Sequence, residues 1–161
     1  MNFRTIADDF IQERSERPRA ESLLSFGVQF LDDAMLGIFP DDLVLVGAPT
    51  GSGKTQLSVN IAKANVEKGK RVHFVALEAS RYEIAQRVKY EMLADLFFAD
   101  SSRPVIYNFN YQSWLTGKYD GLLDKYEDEV TTKGIEVFKN FGIYTKEEIF
   151  NVGTLCELIA E

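Results

Sequence analysis

The stretch Leu43-Val-Leu-Val-Gly-Ala-Pro-Thr-Gly-Ser-Gly-Lys-Thr55 decides how the rest of the chain is read. Its four leading apolar residues predict a short buried strand, a glycine-rich loop follows, and a helix is predicted to open at Lys54. Ala48 to Thr55 fits the phosphate-loop pattern: Ala or Gly, four free positions, then Gly-Lys and Ser or Thr. Glycines at 51 and 53 let the backbone turn its N–H groups inward, where a Cβ would obstruct an incoming phosphate. Lys54 supplies a cation for the terminal phosphates, and the Thr55 hydroxyl is a ligand for Mg²⁺. The unpaired amides and dipole of the following helix favour the same anion. Ala48, Pro49, Thr50, Gly51, Ser52, Gly53, Lys54, Thr55 and Gln56 are therefore the predicted nucleotide-contacting set, with a nucleoside triphosphate and Mg²⁺ as the expected ligands.

Composition sets bounds around that motif. At 161 residues and 45% hydrophobic content, the chain suits one soluble domain with a sizeable core. No run approaches the ~18 apolar residues of a membrane span, and the N-terminus has no apolar core of signal-peptide length. A single cysteine, Cys156, excludes an internal disulfide and suits a reducing cytoplasm; on a helical pattern it reads as a small buried hydrophobe. His73 falls in a predicted strand, without the Cys/His neighbours of a metal site. The net charge of −7 divides into −1 over residues 1–94 and −6 over residues 95–161. Arg14, Arg17 and Arg19 alternate with Glu13, Glu16 and Glu21, so no basic patch suited to DNA is evident.

Along the chain, Phe3, Ile6, Ala7, Phe10 and Ile11 keep the helical period up to Pro18, so residues 1–26 read as an amphipathic helix and linker. A short helix is predicted over Val28–Leu36, with Gly37 as a left-handed cap. After the phosphate loop, a helix over Lys54–Lys68 carries Leu57, Ile61 and Ala64 on one face and stops at Gly69. The apolar run Val72 to Leu77 then completes a strand–helix–strand unit, which sets the class as α/β with a mainly parallel sheet buried on both faces. Glu78 lies just past that strand, at the carboxyl end where open sheets bind ligands. Position alone leaves it two roles, a carboxylate facing the nucleotide or a charge offered to the next helix. That helix, Arg81–Phe98, begins with the capping box Ser80-Arg-Tyr-Glu83 and repeats apolar residues at Ile84, Val88, Met92 and Leu96. Beyond it the reading weakens. Val105–Tyr107 suggests a strand, Tyr111–Leu115 a helical turn, and Gly121–Lys139 a helix broken near Thr131–Gly134. Tyr107, Phe109, Tyr111, Trp114 and Tyr119 read as a satellite core under the sheet edge. Phe141–Tyr144 suggests another strand, and capping boxes stand at Thr145–Glu148 and Thr154–Glu157.

Asp42 to Thr55, Val72-His-Phe-Val-Ala-Leu-Glu78 and the helix bearing Arg87 together resemble the motor domain of DnaB-type replicative helicases, members of the RecA-like ATPases. Gly27-Val-Gln-Phe-Leu-Asp-Asp-Ala-Met-Leu-Gly37 is similar to the lead-in of that family, and the resemblance extends from Gly27 to the end, loosely over 88–140. It implies a RecA-like nucleotide-binding domain over residues 27–161. It implies that Lys54 and Thr55 hold phosphates and Mg²⁺, that Glu78 is the general base, and that Arg87 lies near the nucleotide. It also implies a homo-oligomer of hexamer type acting on single-stranded DNA in the full-length protein.

Ala79 departs from the usual Met of the family. The family's strand ending in the Walker B aspartate, its DNA-binding loops and its arginine finger are not found, so the resemblance covers the first half of a motor domain. On that footing the chain alone is expected to bind Mg-ATP weakly and hydrolyse it hardly at all. Two other functions fit a phosphate loop: a RecA-like regulator or assembly module, and a small phosphate-loop kinase. The kinase is disfavoured because residues 95–161 contain Arg103 as their sole arginine.

Overall fold

The computed structural model describes residues 23–149 and 151–160, together with Ile6, Phe10, Glu13 and Arg17. The amphipathic pattern over Phe3–Glu16 thus falls largely outside the described residues. The elements in chain order are α1 (Gln29–Met35), α2 (Lys54–Glu67), β1 (Val72–Ala76), α3 (Arg81–Ala99), α4 (Tyr111–Leu115), α5 (Asp124–Val137), a 3₁₀ turn (Phe138–Asn140), β2 (Phe141–Thr145) and α6 (Val152–Ala160).

The sheet is parallel, as predicted, but a different pair of strands forms it. β1 pairs with β2 in the register Val72 to Phe141 through Ala76 to Thr145, and the crossover between them runs through α3, α4 and α5. Leu43–Val46, the expected first strand, is not a strand. Leu43 and Leu45 are 86% and 85% exposed, Val44 and Val46 38% and 43%. An isolated extended segment gains nothing from β propensity: its N–H and C=O groups need a neighbouring strand. Among the described residues no strand lies beside this one.

The expectation of burial on both faces also fails for the pair that does form. Ala76, Phe74, Phe141 and Ile143 meet the core. The alternate residues turn outward, where His73 stacks on Tyr144 at 5.7 Å and shares a 2.9 Å hydrogen bond with its hydroxyl. Gly142 lies beneath that ring, and a Cβ there would come within 2.9 Å of the Tyr144 hydroxyl oxygen, so the ring would have to shift. His73 is thus a strand-face residue.

Helix α3 is the spine of the core. Ile84, Val88 and Met92 step by four as predicted, and Leu93 and Phe97 widen the buried stripe. Full burial of side chains such as Ile84 and Leu93 stabilises the fold by ~1.5–3 kcal/mol each. Helix α2 turns Val59, Ala62 and Val66 inward, one or two positions on from the predicted Leu57–Ile61–Ala64 face. Helix α5 runs unbroken through Thr131–Gly134. Val105–Tyr107 is not a strand. The aromatic residues pack on α3 rather than under the sheet edge. Phe97 stacks on Phe109 at 4.7 Å, Phe109 on Tyr119 at 5.6 Å, and Tyr90 contacts Phe109, Tyr111 and Trp114. Tyr107 stands apart at 84% exposure.

Three smaller expectations are also corrected. Asn151, not Thr154, caps α6, accepting from the Thr154 amide at 3.0 Å. Thr145–Glu148 closes a turn instead of starting a helix. Cys156 is exposed.

Candidate nucleotide site

The phosphate loop takes the predicted shape without the predicted strand. Gly51 and Gly53 have φ of +82° and +87°, the left-handed region in which a Cβ is strained. No heavy atom lies within 4 Å of a Cβ built at either position, so the loop is open on that side. Gly53 caps α2, whose first residue is Lys54. The Lys54 ammonium donates to the carbonyls of Ala48 at 2.8 Å and Pro49 at 3.0 Å. The cation therefore folds back over its own loop and, among the described residues, has no acidic partner. Thr55 is exposed at the first turn. Open space, left-handed glycines, a lysine held only by carbonyls and a helix N-terminus are together a fitting cradle for a polyphosphate and its Mg²⁺.

The second predicted element is joined to the first. Arg87 donates to Glu83 Oε1 at 2.8 Å and to Gln56 Oε1 at 3.2 Å, and its guanidinium lies 5.5 Å from the Tyr111 ring centre. Arg87 thus reaches the residue next to Thr55. Glu83 was read from the sequence as half of a capping box. Its backbone N–H does bond the Ser80 hydroxyl at 3.1 Å, but its carboxylate serves Arg87. Glu91 was missed altogether: its carboxylate accepts from Gln56 Nε2. Burial pushes the Glu91 carboxyl above its ordinary value, with the Gln56 hydrogen bond opposing. The signal was present in the spacing of Glu83, Arg87 and Glu91, which puts all three on one face of α3.

Residues 24–94 match the family model described as DnaB-like helicase C terminal domain. This stretch resembles that domain. It takes in α1, the phosphate loop, α2, β1 and most of α3. A further similarity is to the circadian clock protein KaiC2 of Synechocystis sp., 27% identical over 138 residues. That alignment covers 76% of this chain and 24% of KaiC2, so the chain spans about a quarter of that relative's length.

The DnaB-like segment explains its lead-in physically. Asp32, in α1, accepts from the Ser25 hydroxyl at 2.6 Å and the Phe26 amide at 2.7 Å. The buried Asn65 of α2 bonds the Ser25 amide at 2.9 Å and the Ser25 carbonyl at 2.8 Å. Gly27 crosses α2 so closely that a Cβ would meet the Asn60 carbonyl oxygen at 2.6 Å. At Gly37, with φ +103°, an added Cβ would lie 2.7 Å from the Leu24 carbonyl oxygen. The lead-in therefore clamps the phosphate-loop helix from behind.

Glu78 sits in a bend at the carboxyl end of β1, in a cleft of about 520 Å³ whose other wall is Thr145–Glu148 after β2. Arg81, at the start of α3, reaches across to Glu148 at 2.6 Å, and the Thr145 amide bonds the other Glu148 oxygen at 2.7 Å. The Thr145 amide, ahead of Arg81, holds the Glu148 carboxyl below its ordinary value. Among the described residues no hydrogen bond or ion pair joins Glu78 to Lys54 or Thr55. Glu78 thus lies at the carboxyl end of β1, and the Arg87 guanidinium is hydrogen-bonded to Gln56, the residue that follows Thr55.

Among the described residues no helix is long and apolar enough to cross a membrane, and no cluster of His, Cys, Asp and Glu could hold a metal ion on its own.

Proposed function

We propose that the chain is a Mg-ATP-binding module of the DnaB-like helicase type. The observation that carries this reading is the open phosphate loop whose lysine is held only by loop carbonyls. On an incoming phosphate, Lys54 exchanges two neutral acceptors for a charged oxygen, a stronger hydrogen bond. The amides of the loop and of the first turn of α2 converge on the same anion, and the Thr55 hydroxyl is the chain's ligand for Mg²⁺. When bound, Mg²⁺ neutralises charge on the β- and γ-phosphates. Glu78 is the candidate general base, holding the proton of an attacking water on its carboxylate, and Arg87 steadies the nucleotide-facing end of α3.

In the whole protein this module belongs to a homo-hexamer of DNA replication that couples ATP hydrolysis to movement on single-stranded DNA. The match to the DnaB-like family supports that assignment. The chain's acidic charge gives it little DNA affinity of its own. A second reading, a RecA-like regulator or assembly module that binds nucleotide without unwinding, is favoured by one observation: among the described residues Glu78 makes no hydrogen bond or ion pair to the loop.

Calorimetry with Mg-ATP tests the first claim. Wild-type chain is expected to bind, and Lys54→Ala to bind at least ~10-fold more weakly, the usual weight of a hydrogen bond to a charged group. Wild-type chain that takes up no Mg-ATP refutes nucleotide binding here.

A further inference from the structure

The Gln56 side chain is used at both ends. Its oxygen accepts from Arg87 and its nitrogen donates to Glu91, so one amide from the first turn of α2 is spanned by two residues of α3. The same Gln56 nitrogen donates to Asn60 Oδ1 at 3.2 Å; turning the Asn60 amide exchanges that bond for a second donor from α2 to the Glu91 carboxylate, at 3.3 Å to Oε2. Glu91 is half-buried, and a desolvated carboxylate is retained only where donors satisfy it. It makes no direct contact with the phosphate loop.

We infer that Glu91 is a positioning residue for nucleotide binding: through the Gln56 amide it fixes Arg87 and the first turn of α2, which carries Thr55, in one register. This rests on the phosphate-loop reading above. Without an acceptor at position 91, the Gln56 NH₂ is left with Asn60 Oδ1, one turn along its own helix at 3.2 Å, and the orientation of the amide toward Arg87 is no longer set from α3. Arg87 then keeps only Glu83 and the Tyr111 ring, and the two helices are no longer tied at the residue that follows Thr55.

Two measurements on the whole chain test this. The first is Mg-ATP affinity of Glu91→Met, Glu91→Gln, Gln56→Ala and the Gln56→Ala/Glu91→Met double variant, with Lys54→Ala as control. Glu91→Met is expected to raise Kd about tenfold, the scale of one lost hydrogen bond to a charged group. Glu91→Gln keeps an acceptor oxygen and is expected to stay within about twofold. Gln56→Ala is expected to match Glu91→Met, and the double variant to lose no more than either, as for two residues acting through one contact. Wild-type affinity in Glu91→Met, an equal loss in Glu91→Gln, or additive losses in the double variant each overturn the inference.

The second measurement needs no nucleotide. Amide hydrogen exchange at Leu57 and Ser58 is expected to quicken about tenfold in Glu91→Met but not in Glu91→Gln, because opening of that turn is a local event. Unchanged exchange overturns the inference even if the chain binds no nucleotide. Failure of wild type to bind, with the exchange effect intact, refutes the phosphate-loop reading alone.

Discussion

The aromatic layer between α3 and α5 and the ribbon leading into the phosphate loop are opposites in packing. In the first, Phe97, Tyr119, Leu123, Tyr126 and Val130 are buried. Its polar tips are also closed off: Tyr119 bonds the Asn108 carbonyl at 2.8 Å, Tyr126 bonds Asp100 at 2.8 Å, and Trp114 bonds Glu127 at 2.8 Å. In the second, residues 41–53 are exposed throughout. Sequence legibility ran the other way. The loop is legible from residue type and spacing, whereas the aromatic layer depends on contacts between positions far apart in the chain. Packed layers hold the fold, and a ligand site is necessarily left open.

The largest expected effect concerns the open region. In protein that turns ATP over, Glu78→Gln is expected to lower kcat by ~10²–10⁴-fold while Mg-ATP affinity persists, the usual weight of general base catalysis. Turnover within tenfold of wild type would assign the base elsewhere. Stability responds in the opposite region. Phe97→Ala is expected to cost about 3–5 kcal/mol in urea unfolding, while Leu45→Ser on the ribbon stays within about 0.5 kcal/mol. Equal losses would erase the contrast drawn above.

Gly27→Ala is a sharper probe of the clamp behind α2. The added Cβ meets the Asn60 carbonyl in a left-handed backbone, so a loss of about 2–3 kcal/mol is expected, as for overpacking. A neutral outcome by thermal unfolding would show that the lead-in is not pressed onto α2. The smallest effect is one of pH. Because burial raises the folded pKa of Glu91 above its ordinary 4.5, its contribution is fully present below the unfolded value and lost as pH rises through the folded one. Glu91→Gln is therefore expected to gain about 2 °C in Tm over wild type at pH 7, the scale of a sub-kcal/mol change, and to converge with wild type near pH 4. A constant difference across that range would contradict the sign.

How far the sequence could be read follows from the same contrast. Local signals survived. Gly53 caps α2, Gly69 follows its end, Ser80 caps α3, and the four-residue step of Ile84, Val88 and Met92 is buried as expected. Non-local ones did not. Leu43–Val46 has every local mark of a strand, yet a strand depends on its neighbour. The partner of β1 turned out to be Phe141–Thr145, some seventy residues away. Glu91 escaped notice because a carboxylate on a helix face is usually solvated, and only the approach of Gln56 gives it a role.

The chain's sole tryptophan, Trp114, lies 5.9 Å from the Tyr111 ring, and Arg87 sits over that same ring. Through Arg87 and Gln56 the indole is three side chains from the phosphate loop. The molecule thus contains its own optical reporter. Its emission depends on the hydrogen bond to Glu127 and on the charge over its neighbour, so a change in how α3 addresses the loop is expected to alter it, with no label attached.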